Sequence, residues 1–189
     1  MNMINLKPFY LLLLCITSNF AYSQNFLEKL NYFGVLPSVL SEPYDTINAL
    51  DVNCVPFVFE RRTINKLGIQ IRPMINYRVY NKQNGVSHIG GTIMVNKYLT
   101  NLFKKENCRF IPSLGVYFTY TYNQLDRINT LILGVEPGIL FKLSNTISIN
   151  LGLQPGIDYF PDDYSRKYTG AKNGIKSHFG LIFHIGYNF

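Results

Sequence analysis

Three histidines, His88, His178 and His184, are the side chains in this 189-residue chain best suited to moving protons near neutral pH. Two of them follow a serine: Ser87 precedes His88 and Ser177 precedes His178. Nucleophilic catalysis needs the hydroxyl within hydrogen-bond reach of the imidazole and an acid to orient the ring. Adjacent residues of a strand point to opposite faces, so neither pair is expected to work as a dyad. The three cysteines, Cys15, Cys54 and Cys108, form no Cys-x₂-Cys pair, and no His-x₃-His spacing occurs, so no metal is expected. Gly90-Gly91 falls inside a strand and makes no phosphate-cradling loop. From these patterns we expect no catalytic residue, no cofactor and no enzyme. Cys54 and Cys108 are read as two separate buried thiols, with a disulfide open in an exported chain.

The charged residues carry a clearer message. Glu60, Arg72, Arg78 and Glu136 share one parity with Gln70, Asn76, Asn150, Gln154, Asp158, His184 and Asn188, in runs whose other parity is apolar. Residues 179–189 show the pattern most plainly. Phe179, Leu181, Phe183, Ile185, Tyr187 and Phe189 alternate with Gly180, Ile182, His184, Gly186 and Asn188. A period of two means a strand with one greasy face. The same alternation runs through 147–159, 131–141, 110–122, 69–79 and 55–59, and more weakly through 89–99.

These seven strands have lengths suited to a tilted membrane strand of about 9–11 residues. The connections alternate in character. Residues 63–66 and 142–145 are short, whereas 161–174 is long, polar and charged. Outer-membrane barrels keep short turns in the periplasm and long loops outside. Tracing that alternation backwards demands one further strand upstream, and residues 31–41 supply it, despite Pro37 and a poor pattern. We therefore expect an all-β, eight-stranded, antiparallel, up-and-down transmembrane β-barrel, since closure removes sheet edges and single-chain barrels are even-numbered. The rival is an N-terminal arm beside a seven-stranded sheet. Tyr77, Tyr80, Tyr120, Tyr122 and Tyr159 are expected to form an outer aromatic girdle, and Tyr98, Phe141, Tyr187 and Phe189 an inner one.

So small a barrel has room inside only for side chains. Charges held there must be paired and hydrogen-bonded. Glu60 and Glu136 are the expected partners of Arg72 and Arg78, in a polar network that plugs the lumen. Inward glycines, Gly134, Gly138, Gly152, Gly156, Gly180 and Gly186, would make room beside these long side chains. A charge-lined ion path is the alternative. In the long loop, Asp162, Asp163, Tyr164, Arg166, Lys167 and Lys172 are candidates for a surface contact, with phosphate-bearing lipid among the partners.

At the amino terminus, Lys7 precedes an apolar run over residues 9–16 and then Ala21-Tyr22-Ser23. That run is too short to span a bilayer and reads as a secretory signal over residues 1–23, leaving 24–189 as the barrel domain. Leu14 before Cys15 does not suit lipoprotein processing. The formal charge of +7 is scattered. In an exported chain it points to anionic lipid headgroups and not to nucleic acid. Tyr and Phe number 14 each, which suits strands and membrane interfaces.

The signal ending Ala21-Tyr22-Ser23-Gln24, the early strand closing Phe59-Glu60-Arg61 and the terminal Gly186-Tyr187-Asn188-Phe189 carry a resemblance. The chain resembles small outer-membrane β-barrel proteins of the OmpA/OmpX-like kind, more narrowly those of Bacteroidota-type bacteria. The resemblance implies an outer-membrane location, a monomeric barrel in outer-membrane lipid and lipopolysaccharide, and Tyr187 and Phe189 as the signal read by the barrel-insertion machinery. It implies no shared activity. Some barrels of this size modify lipid A with Ser and His, so an enzyme is the third alternative, after a structural or surface-interaction role and a narrow pore. A soluble exported β-barrel binding a small ligand is the fourth.

Overall fold

The computed structural model describes residues 30–36, 39–40, 50–63, 65–79, 84–100 and 109–189. Ten strand segments form one antiparallel sheet: β1 (Asn31–Val35), β2 (Val39–Leu40), β3 (Leu50–Asn53), β4 (Phe57–Arg62), β5 (Leu67–Val79), β6 (Gly85–Tyr98), β7 (Phe110–Asn123), β8 (Ile128–Lys142), β9 (Ile147–Tyr159) and β10 (Ile175–Asn188). The sheet closes on itself. The ring runs β1-β10-β9-β8-β7-β6-β5-β4 and back to β1. β2 and β3 extend β1 and β4, because β2 pairs with β3 and β3 pairs with the far half of β5. The result is a closed, eight-stranded antiparallel barrel in up-and-down order.

Of the 31–41 stretch, residues 31–35 thus enter the wall and 39–40 extend it. β1 lies between the two ends of the sheet, with Phe33 opposite Tyr187 on one side and Phe59 on the other. Asn31 and Phe189 exchange backbone hydrogen bonds of 3.0 and 2.9 Å at the seam. Pro37, Ser38 and Ser41 lie outside the described residues, as do the 1–23 segment with Cys15, the 101–107 connection, Tyr80 and Cys108.

Two irregularities re-aim side chains. Between β3 and β4 the chain carries one more residue than β5 does opposite it, since Asn53 faces Asn76 while Phe59 faces Ile71. Pro56, which cannot donate to the ladder, sits in that interval. The inward parity therefore switches from Asn53 to Val58, Glu60 and Arg62. On β6, Asn76 pairs with His88 but Tyr77 pairs with Val86, so Ser87 is a bulge residue.

The alternation sorts the residues as an inverted globule. Ile69 is 53% exposed, Leu151 39% and Phe183 39%, all on the outer face, whereas Arg72, Glu60 and His184 are buried. Two aromatic bands border this apolar surface. Tyr77, Tyr120 and Tyr159 are exposed at the end that bears residues 160–174, called here the loop end, and Phe110, Tyr187 and Phe189 at the turn end. Tyr98 departs from its expected place in the girdle: it is 1% exposed and points inward with its parity mates Met94 and Asn96. Cys54 also departs from expectation, its thiol being exposed on the outer face beside the β3–β4 irregularity.

Candidate functional site: the lumen and the loop-end rim

The lumen is crossed by two polar clusters that share one glutamine. At the turn end, Glu60 accepts hydrogen bonds from Tyr98 Oη (2.7 and 2.8 Å to its two oxygens), Arg62 Nε (3.1 Å) and Gln70 Nε2 (3.1 Å). Arg62 continues to Asn188 Oδ1 at 2.6 Å, and its guanidinium lies 4.9 Å from the Tyr98 ring centroid and 5.4 Å from that of Tyr32. Tyr32 Oη in turn meets His184 Nδ1 at 2.7 Å, linking β1 to β10 inside the seam.

Midway along the barrel, Arg72 grips Glu136 with both terminal nitrogens, at 2.7 Å each. That fork-to-carboxylate geometry is the strong form of a charged hydrogen bond. Gln154 Nε2 adds a third donor to Glu136 at 2.7 Å. Gln70 joins the clusters, because its amide donates to Glu60 and its oxygen accepts from Arg72 Nε. Each charge of these two clusters therefore has an opposite charge and further hydrogen bonds, the condition for holding ions in so dry a place.

Glycines give these side chains their room. The Glu60 carboxylate lies over Gly68, Tyr117 over Gly134 and Gly156, and Tyr32 over Gly34 and Gly186. A methyl on Gly152 would meet Glu136 Oε1 at 2.9 Å, inside van der Waals contact. The inward glycines are thus spaces already filled by a neighbour.

The expected pairing is changed in two places. Arg72 has Glu136, but Glu60 has Arg62, and Arg78 has Asp126 at 3.6 Å. Arg62 is simply the next inward position after Glu60, and the β7–β8 turn carries Asp126 within reach of Arg78. Parity alone would have found Arg62 and Tyr98. Nothing local in the sequence marks Asp126.

Of the histidines, His184 is buried against Tyr32, and His178 faces Asp158 at 3.0 Å, half-buried near the loop end. Ser87 and His88 do meet, contrary to the opposite-face expectation, with Oγ and Nδ1 3.3 Å apart. The bulge turns both inward. Ser87 Oγ donates to the Asn76 carbonyl at 3.2 Å, so its proton is directed away from the imidazole. Among the described residues no group of three or more His, Cys, Asp or Glu converges to hold a metal ion.

At the loop end, the 161–174 connection is ordered around a short helix, α1 (Asp163–Thr169). Asp162 caps it, accepting from Ser165 N at 2.7 Å and Ser165 Oγ at 2.8 Å. Those donors hold the Asp162 carboxyl below the usual carboxylate range. Gly170, at φ 66°, ends the helix in the left-handed conformation that favours glycine. Ile128, Phe160 and Ala171 form an apolar cluster beneath it. Of the candidate contact residues, Asp162 is engaged in the cap, and Arg166 donates to the carbonyls of Phe160 and Pro161. Asp163, Tyr164 and Lys167 are exposed. The Lys172 side chain lies outside the described residues. Tyr187 and Phe189 stack outward at the turn end, 6.1 Å between centroids.

No protein-family model and no curated protein matches the chain. Among solved structures it is similar to the outer membrane protein OprG from Pseudomonas aeruginosa, at 12% identity and a TM-score of 0.41, over 85% of this chain and 92% of that one. It is likewise similar to the E. coli outer membrane protein W, at 12% identity and a TM-score of 0.42, over 85% of this chain and 98% of that one. Likeness at this level says nothing about what a protein binds or does.

Proposed function

We propose that the chain is an exported outer-membrane β-barrel protein with a structural or surface-interaction role, its lumen closed by the Glu60–Arg62–Tyr98 and Arg72–Glu136 clusters. The carrying observation is the inversion of the barrel: isoleucine, leucine and phenylalanine face out while paired charges fill the middle. Water would penalise that outer surface, whereas a bilayer about 30 Å thick solvates it and accepts a closed barrel because no backbone edge is left unpaired. On this reading the short turns are periplasmic, the loop end faces outward, and the chain is a monomer of the OmpA/OmpX-like kind. The stacked Tyr187 and Phe189 are then placed for the insertion machinery to read. A soluble exported barrel is disfavoured by the same inversion, which puts paired charges where a ligand would sit.

A narrow pore is the second reading. The observation favouring it is that inward residues at the loop end, His178 and Asp158, keep 23% and 14% side-chain exposure, more than the Arg72–Glu136 pair deeper in the lumen. Planar-bilayer recording separates the two readings. The plugged barrel gives no discrete current steps as wild type, whereas wild-type steps would establish the pore instead. Membrane fractionation tests the location: recovery of the mature protein in the periplasmic fraction without detergent would overturn the membrane reading. We propose no enzymatic activity, and unchanged acyl composition of lipid A after incubation with the reconstituted barrel is the matching result.

A further inference from the structure

We propose that α1 is a headgroup anchor, whose exposed Tyr164, Tyr168 and Lys167 seat against the anionic phosphate headgroups of the lipid leaflet around the loop end. The proposal rests on the membrane reading above and adds to it the element, the side chains and the chemistry of the ligand. It begins with where α1 sits. Asn129 belongs to the outward parity of β8, with Leu131, Leu133 and Val135. Asn129 N donates to Ser165 Oγ at 3.1 Å, and Asn129 Nδ2 to Asp162 Oδ2 at 3.2 Å. Tyr120, another outward residue, donates to Asn129 Oδ1 at 3.0 Å. Arg166 reaches the hydroxyl of outward-facing Tyr159 at 3.5 Å. Two residues of the outer surface, Asn129 and Tyr159, thus hold the helix, and Tyr120 braces Asn129, which places the helix at the membrane side of the rim, continuous with the aromatic band.

The second step is what α1 presents there. Tyr164 and Tyr168 are each 54% exposed and stack with centroids 6.1 Å apart. Lys167, between them in sequence, is exposed and pairs with no carboxylate among the described residues. The neighbouring acid, Asp163, is engaged by Arg166 at 3.3 Å. Towards solvent stand the two rings, the Lys167 ammonium and the Asp163 carboxylate that Arg166 offsets, while the Tyr168 hydroxyl donates to Asp126 Oδ1 at 3.2 Å. Tyrosines settle at the depth of lipid headgroups, and an ammonium is a point charge for phosphate. The caps and the apolar cluster beneath fix these groups in advance, so little ordering entropy is lost on contact.

The chain contains no tryptophan, so Tyr164→Trp places a single fluorophore on α1. The probe is a nanodisc of phosphatidylcholine containing a minority of phosphatidylglycerol with a nitroxide near its headgroup. We expect quenching above that of a random lipid mixture, and Lys167→Gln in the same background to weaken the apparent preference about fivefold, as one surface cation contributes. Equal quenching by the same nitroxide on phosphatidylcholine would overturn the anionic-headgroup assignment. Quenching by aqueous iodide alone would overturn the anchor and leave α1 as a water-facing surface for a protein partner. Heat-modifiable gel mobility reports whether the barrel has folded into the disc. An inserted barrel without lipid quenching sinks the anchor only, whereas a chain that never inserts sinks the membrane reading with it.

Discussion

Glu136 receives three donors from two side chains in the middle of the lumen. Glu136→Gln would leave the Arg72 guanidinium buried without its counter-charge, a change that typically costs about 3–5 kcal/mol. A lowered urea midpoint of the folded barrel in detergent is the expected readout. Replacing both residues by methionine should recover most of that loss, because two uncharged side chains need no partners. Unequal loss between the single and double variants is the point of the measurement, and equal loss would show that packing, not charge, holds this level. Tyr98→Phe makes a smaller, separate prediction. It removes one hydroxyl shared by both Glu60 oxygens while Arg62 and Gln70 stay in place. The expected cost is about 1–3 kcal/mol in the same assay. At this scale the sequence was only partly legible. Inward charges followed from alternation, but which carboxylate meets which arginine depends on strand stagger, and stagger leaves no mark in a single strand. Arg62 lies one residue beyond a strand that closes on Arg61 in the sequence pattern, and Tyr98 is an aromatic at a strand end, which suggests a girdle.

Among the elements, α1 illustrates a limit of periodicity. Seven residues make fewer than two turns, too few for an apolar stripe to emerge, and such a helix survives on its caps and contacts. Asp162→Ala removes the acceptor of two Ser165 donors and should cost the helix about 1 kcal/mol. Faster amide exchange over residues 165–169, with the strands unchanged, is the expected result. The same cap predicts a pH dependence. The folded-state pKa of Asp162 is lowered, so its contribution is complete above the ordinary carboxylate range near 4 and is lost as pH falls through the lowered value. Exchange at Ser165, corrected for intrinsic rates, should therefore be flat from neutral pH down to that range and rise below it. A rise beginning near pH 6 instead would point to a histidine. The strands themselves were legible because each has one greasy face. The bulge at Ser87 was not, since one extra residue looks like any other until the partner strand supplies the count.

For the whole molecule, closure depends on its least extensive pairing. β10 pairs with β9 over 13 positions but with β1 over only four, from Val35–Ile185 to Tyr32–Asn188. The strand with the poorest pattern is the one that removes both edges of the sheet. Phe33→Pro, which deletes a ladder donor between two neighbours, should reduce the yield of the heat-modifiable folded form. The equivalent change at exposed Asn145, in a turn, should be far milder. That an upstream strand was required could be read from the parity of the connections, because an odd number cannot return the chain to its starting side. Its division into β1 and β2 was not readable, for a proline marks an interruption without saying whether the chain resumes its course.

Pairing several large inward groups with an adjacent glycine has a consequence for how this protein can drift over generations. Neither member of such a couple is free to change alone. Alanine at Gly68 collides with Glu60, alanine at Gly115 with Met94, and alanine at Gly152 with Glu136. A lineage that enlarges one glycine must shorten its opposite number, so related chains should vary in matched steps, with sites far apart in order rising and falling together in bulk.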